Sequence, residues 1–189
     1  MQLSSFLLDG LRLGIFGGSF NPAHTGHRRI SLEAMKRLRL DHVIWLVSPG
    51  NPLKQRRDYA PLAQRLAGAR AVAAHPRIIV SDFEARHGLR YTIDTIELLQ
   101  KTLPSAQLVW IMGADNLAGF DRWRDWRRIA QSVPMAVFSR PGDRLAPLQA
   151  RAARTFAADR LPLEAAPLPA PTIRPVRPPC GARTGVTLR

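Results

Sequence analysis

The chain of 189 residues is the size of one domain and is long enough to bury a core without a metal or disulfide staple. Its 28 Lys and Arg against 14 Asp and Glu give a formal net charge of +14, which suits a polyanionic ligand such as ATP, a nucleic acid or an acidic surface. The cations are nearly all arginine and are scattered along helical stretches, as solvated surface charge would be, so charge alone makes no case for nucleic acid. The single cysteine, Cys180, excludes an intrachain disulfide, has no zinc-site spacing around it and fits a reducing cytoplasm. The apolar stretch at 6–8 is cut by Asp9, Gly10 and Arg12, so neither a signal segment nor a membrane span is expected.

In chain order, short apolar runs at 12–16, 42–47, 77–81, 107–112 and 135–138 read as buried strands. Amphipathic spacing predicts helices at 25–38, 61–74 and 92–101, a broken one at 115–131, and a last helical stretch at 148–158. Strands and helices alternating in this way predict an α/β domain over residues 1–159: a doubly wound, Rossmann-like parallel sheet with helices on both faces and ligands at the carboxyl ends of the strands. Nine of the sixteen prolines follow Arg140, and those from 162 to 179 are too dense for a helix. Residues 160–189 therefore read as an irregular Pro/Arg-rich tail, extended or disordered.

The first strand runs into Gly14-Ile15-Phe16-Gly17-Gly18-Ser19-Phe20-Asn21-Pro22-Ala23-His24-Thr25-Gly26-His27. Gly17 and Gly18 let backbone approach a ligand closely, and Pro22 stiffens the exit of the loop. The helix start near Gly26 and His27 offers unpaired N–H groups to an anion. His24 and His27, three apart, can present both imidazoles to one face of that first turn, where they would stabilise charge on a phosphoryl group in transit. Each histidine alone reads more readily as a surface or capping residue; the H-x-G-H spacing after a strand is what makes the pattern specific.

H-x-G-H after a first strand resembles the nucleotidyltransferase superfamily, and the fuller G-G-S-F-N-P-A-H-x-G-H is similar to the bacterial nicotinate-nucleotide adenylyltransferase family. The resemblance implies that His24 and His27 are catalytic, binding ATP phosphates and stabilising the pentacovalent transition state, with Gly17, Gly18, Ser19, Phe20 and Gly26 in the ATP-binding loop. Ser48-Pro49-Gly50-Asn51-Pro52-Leu53-Lys54 is similar to the family's loop ending in lysine, although Leu53 stands where that family has His; Lys54 is a phosphate contact or a solvated loop lysine. Ser81-Asp82-Phe83-Glu84 and Tyr91-Thr92-Ile93-Asp94-Thr95 resemble its strand end and helix start, which implies that Tyr91 and Thr92 bind the nicotinate carboxylate; Thr92 or one of its neighbours would also serve as an ordinary N-cap. Gly113-Ala114-Asp115 follows the fourth strand, and Asp115 would hold a ribose hydroxyl or cap the next helix. Trp123, eight residues on, resembles the family's pyridine-stacking indole, whereas Trp126 is read as core. Arg140 in Ser139-Arg140-Pro141-Gly142 is an ATP contact or a structural ion pair.

The resemblance covers roughly 13–142. The family's second phosphate motif, I-S-S-T-x-I-R, is missing; Thr172-Ile173-Arg174, between Pro171 and Pro175, is a fragment of it. Composition and missing motif together predict that the native reading frame is lost after about Asp159, in which case another frame of the gene contains S-[ST]-T-x-[IL]-R. The function implied is adenylyl transfer from ATP to nicotinate mononucleotide, with Mg²⁺ bridging phosphates, in the cytoplasm, without membrane or nucleic-acid partners. Homo-oligomers stay open, as does the choice between nicotinate and nicotinamide. The competing readings are another adenylyltransferase, such as the phosphopantetheine type, and a catalytically impaired cationic nucleotide-binding protein.

Overall fold

The computed structural model describes residues 8–50, 59–138 and 149–159 and the backbone of 186–188. Its strands are β1 (Arg12–Gly18), β2 (His42–Val47), β3 (Ile78–Ser81), β4 (Gln107–Gly113), β5 (Met135–Phe138) and β6 (Val186–Leu188). They form one sheet in the order β3-β2-β1-β4-β5-β6, every neighbouring pair parallel. The helices are α1 (Thr25–Leu38), α2 (Leu62–Ala73), α3 (Phe83–Arg86), α4 (Thr92–Thr102), α5 (Ala114–Leu117), α6 (Trp126–Ser132) and α7 (Arg151–Thr155). This is the doubly wound Rossmann-like sheet expected from the alternating pattern. Two short elements carried no signal of their own: α3, a single turn, and β6, which lies within the stretch read as an irregular tail and pairs with β5.

Side chains of a strand alternate between faces, and here both faces are dry. Val43, Trp45 and Val47 of β2 join one core with Met35 and Leu38 of α1 and Leu66 and Ala69 of α2. Ile44 and Leu46 join the other, with Ile93, Ile96 and Leu99 of α4, Ile129 of α6 and Ala152 of α7. Hydrophobic residues on both sides of each strand explain why the runs read as continuous rather than alternating.

From β1 the chain moves outward through β2 to β3, then returns to lay β4 on the other side of β1. The crossovers on either side of the β1–β4 pair diverge, opening a crevice at the carboxyl ends of these two strands. Gly17 stands at that point: a Cβ there would lie 2.7 Å from Cη2 of Trp110 on β4, so only glycine lets the indole lie against the end of β1.

Candidate active site

The crevice is a cleft of about 630 Å³. Gly17, Gly18, Ser19, Phe20, His24 and His27 line it from the β1–α1 side, Gly113 and Asp115 from the end of β4, and Tyr91, Thr92 and Trp123 from the far wall. Eleven positions singled out in the sequence thus converge on one space. Gly26 lies just outside that lining, directly under the His24 ring: a Cβ there would sit 2.9 Å from Nδ1. Lys54 and Arg140 lie outside the described residues.

The loop after β1 is held by an aromatic bed. Phe20 has φ 47, a left-handed conformation that costs a side-chain-bearing residue energy and needs local packing to hold it. That packing is visible: the Phe20 ring is stacked on Trp45 with centroids 4.9 Å apart, meets Phe16 edge-on at 5.9 Å, and carries the His27 imidazole at 4.8 Å. Trp45 is in turn tied to α1 by its Nε1–H, which donates to Ser31 Oγ at 2.8 Å. Phe20 as a residue is only 2% exposed, so its ring serves as the bed beneath the loop.

His24 does not sit on the first turn of α1; it is the extended residue that precedes it, with φ −145 and ψ 168. The two imidazoles nevertheless come together, with centroids 3.9 Å apart. The His24 backbone N–H donates to His27 Nδ1 at 3.2 Å, so in the neutral ring His27 carries its proton on Nε2. No acidic residue occupies the first turn of α1, and Lys36 and Arg37 stand in its last turn. The helix dipole is complemented at its carboxyl end; at the end that meets the cleft no acidic side chain offsets it, and His24 and His27 themselves form a capping box, so the capping alternative for the pair is realised beside the cleft.

On the far wall Thr92 is the first residue of α4, and the cap position belongs to Tyr91, which is extended; no side chain caps this helix. The capping alternative for Thr92 is thereby removed. Asp115 likewise lies inside α5, whose cap position is Gly113, so it does not cap that helix. It stays exposed at the cleft, and a Cβ on Gly113 would collide with its Oδ1. Trp123 is half-buried, meeting Phe120 and Trp110 edge-on at 5.4 and 6.4 Å, while Trp126 is buried in the core as its pattern suggested.

The cleft also contains side chains to which sequence reasoning assigned no role. Arg90, Arg122 and Arg124 stand at its rim, with the Arg124 guanidinium 4.6 Å above the Tyr91 ring. Trp110 is buried, and its indole N–H has no hydrogen-bond partner among the described residues. Glu84, on α3, accepts a 3.0 Å hydrogen bond from Thr95 Oγ1 and is otherwise enclosed; burial pushes its carboxyl up to about 7, and the Thr95 bond opposes this in part. The S-D-F-E string contained Glu84, but nothing in it signals that α3 turns the carboxyl inward.

The matching family is the cytidylyltransferase-like one, over residues 15–173. Among curated proteins, the chain is 52% identical over 165 residues to a probable nicotinate-nucleotide adenylyltransferase of Caulobacter sp. strain K31, covering 87% of each chain. It is 55% identical over 152 residues to the Bradyrhizobium sp. strain BTAi1 protein of the same description, covering 80% of this chain and 79% of that one. Among solved structures, the fold matches Plasmodium falciparum nicotinic acid mononucleotide adenylyltransferase complexed with NaAD, with a TM-score of 0.64 at 13% identity over 71% of this chain and 67% of that one. It also matches a nicotinate-nucleotide adenylyltransferase structure from Vibrio parahaemolyticus, with a TM-score of 0.54 at 18% identity over 79% and 80%. At those identities the structures speak for the fold; the curated relatives and the family match speak for the lineage. The chain belongs to the nicotinate-nucleotide adenylyltransferase family, nucleotidyltransferases of NAD biosynthesis within the cytidylyltransferase-like superfamily.

Proposed function

We propose that this cleft transfers the AMP moiety of ATP to the 5′-phosphate of nicotinate mononucleotide, giving deamido-NAD and pyrophosphate. A phosphate oxygen of the mononucleotide attacks the α-phosphorus, the bond to the bridging α–β oxygen breaks, and pyrophosphate leaves with that electron pair. The nucleophile is already ionised at neutral pH, so no protein base is required, and catalysis rests on positioning and charge stabilisation. His24 and His27 face the phosphoryl group in transit, with His27 donating from Nε2, while Gly17, Gly18, Ser19 and Phe20 offer backbone to the phosphates. Asp115 takes the adenosine ribose, Trp123 stacks on the pyridine ring, and Tyr91 and Thr92 at the uncapped start of α4 take the nicotinate carboxylate.

Mg²⁺ would come with ATP as part of the substrate and would supply neutralisation of phosphate charge. Among the described residues no three His, Cys, Asp or Glu side chains form a group that could hold a metal ion; the carboxylate in the cleft nearest the proposed ATP side is that of Asp115, which would be the protein group to meet a phosphate-bound cation. Among the same residues no helix is long and apolar enough to cross a membrane.

The observation that carries this reading is the pairing of two imidazoles 3.9 Å apart at the start of α1 with an aromatic and hydroxyl wall across a single cleft. The test is pyrophosphate release from ATP and Mg²⁺ with nicotinate mononucleotide, nicotinamide mononucleotide or phosphopantetheine as acceptor. Release with the first, and deamido-NAD in the product, is expected. ATP binding without release on any acceptor overturns the reading in favour of a nucleotide-binding protein.

A further inference from the structure

Arg65 is 4% exposed, lies in the first turn of α2 and pairs with no carboxylate among the described residues. Each of these is unfavourable for a cation: burial removes water, a helix start repels positive charge, and no counter-ion offsets either. Burial accordingly holds the guanidinium below its ordinary pKa, with Tyr59 opposing the shift. What compensates is a set of backbone carbonyls. Nη1 donates to Ser19 O and to Ser48 O, both at 2.7 Å, Nε to Ala60 O at 2.9 Å, and Nη2 to Pro49 O at 3.4 Å. Those oxygens belong to three separate segments: the loop after β1, the end of β2, and the approach to α2. Two further bonds close the same seam, from Ala60 N–H to Asn21 Oδ1 at 3.1 Å and from Ser48 N–H to Gly18 O at 2.9 Å.

The structure assigns to Arg65 a positioning role for ATP: its planar fork pins the phosphate loop at Ser19 against Ser48 and Pro49, and so sets the spacing of the cleft's triphosphate end. Ser19, Asn21, Ser48 and Gly50 all line the cleft, whereas the far wall with Tyr91, Thr92 and Trp123 receives no bond from Arg65. The role thus rests on the reading that ATP binds at the Gly17–His27 side, and it falls on one substrate only. Lysine keeps the charge but gathers its donors at one point, so it cannot span Ala60 O on one side and Ser19 O and Ser48 O on the other.

The experiment is steady-state pyrophosphate release by wild type, Arg65→Lys and His27→Ala, each substrate varied in turn, with circular dichroism to measure the folded fraction. For Arg65→Lys the KM for ATP rises about tenfold or more, while the KM for nicotinate mononucleotide stays within about twofold, because ångström-scale displacement of a binding loop costs that much. An unchanged KM for ATP overturns the role, as does a loss of turnover that merely tracks the folded fraction with both KM values intact. If Arg65→Lys does not fold, Asn21→Ala, which deletes the acceptor for Ala60 on the same seam, carries the same expectation, and an unchanged KM for ATP again overturns it. A His27→Ala protein with undiminished turnover removes the site reading beneath the proposal; a slow His27→Ala beside an Arg65→Lys with normal ATP kinetics overturns the Arg65 role alone.

Discussion

Replacing Glu84 with glutamine tests the electrostatics of the cleft wall most cleanly, because the amide keeps the shape and the acceptor for Thr95 Oγ1 while removing the titratable proton. In the folded chain the carboxyl is raised from its ordinary 4.5 to about 7 by burial. Between those values the folded state binds more protons than the unfolded chain, so stability falls as pH rises. The contribution of neutral Glu84 is fully present below pH 4.5 and is lost as pH climbs through about 7. A shift of this size corresponds to about 3 kcal/mol, of which about 2–3 kcal/mol should separate pH 5 from pH 8. Glutamine has no such dependence. The unfolding free energy of Glu84→Gln minus that of wild type is therefore expected to rise by about 2–3 kcal/mol from pH 5 to pH 8, measured by urea denaturation followed by circular dichroism. A difference that stays flat, or falls towards alkaline pH, would refute the claim that burial raises the Glu84 carboxyl to about 7.

Two other substitutions follow from geometry. Gly17→Ala places a methyl group 2.7 Å from the buried Trp110 ring, an overpacking that should cost about 1–3 kcal/mol in urea denaturation; an unaltered midpoint would mean the indole yields without cost. Trp123→Ala removes the ring proposed to stack on pyridine and should raise the KM for nicotinate mononucleotide about tenfold while leaving that for ATP near its wild-type value. Equal effects on both substrates would place Trp123 in general packing instead.

Legibility in the sequence followed the range of the interaction. Strand and helix patterns depend on which face is dry, a property written in residue type, so β2, β5 and α1 agree with their expected bounds to the residue. The broken helix expected at 115–131 is broken, into α5, a turn at Phe120–Arg122 and α6; the left-handed Asp125 that precedes α6 is a detail no apolar spacing encodes. β6, three residues long after a proline-dense stretch, is too short to show a period. In the site, the H-x-G-H spacing was readable because it is local. The tilted contact of His27 with Phe20 was not, since it depends on a φ of 47 at a phenylalanine. Arg65 was invisible for a further reason: its partners are backbone carbonyls, and any residue at Ser19, Ser48 or Ala60 would carry the same oxygen. Glu84 looked like a polar residue at a strand end, and only the packing of α3 beside α4 shows its carboxyl enclosed.

The imidazole pair at the start of α1 is where the whole scheme is most exposed to test. Single-turnover formation of deamido-NAD by His27→Ala, at saturating ATP and nicotinate mononucleotide, isolates the chemical step from binding. Loss of a donor aimed at the migrating phosphoryl group should slow that step by about 10²–10³-fold with the folded state unchanged. A variant that forms product at the wild-type rate would contradict the assignment.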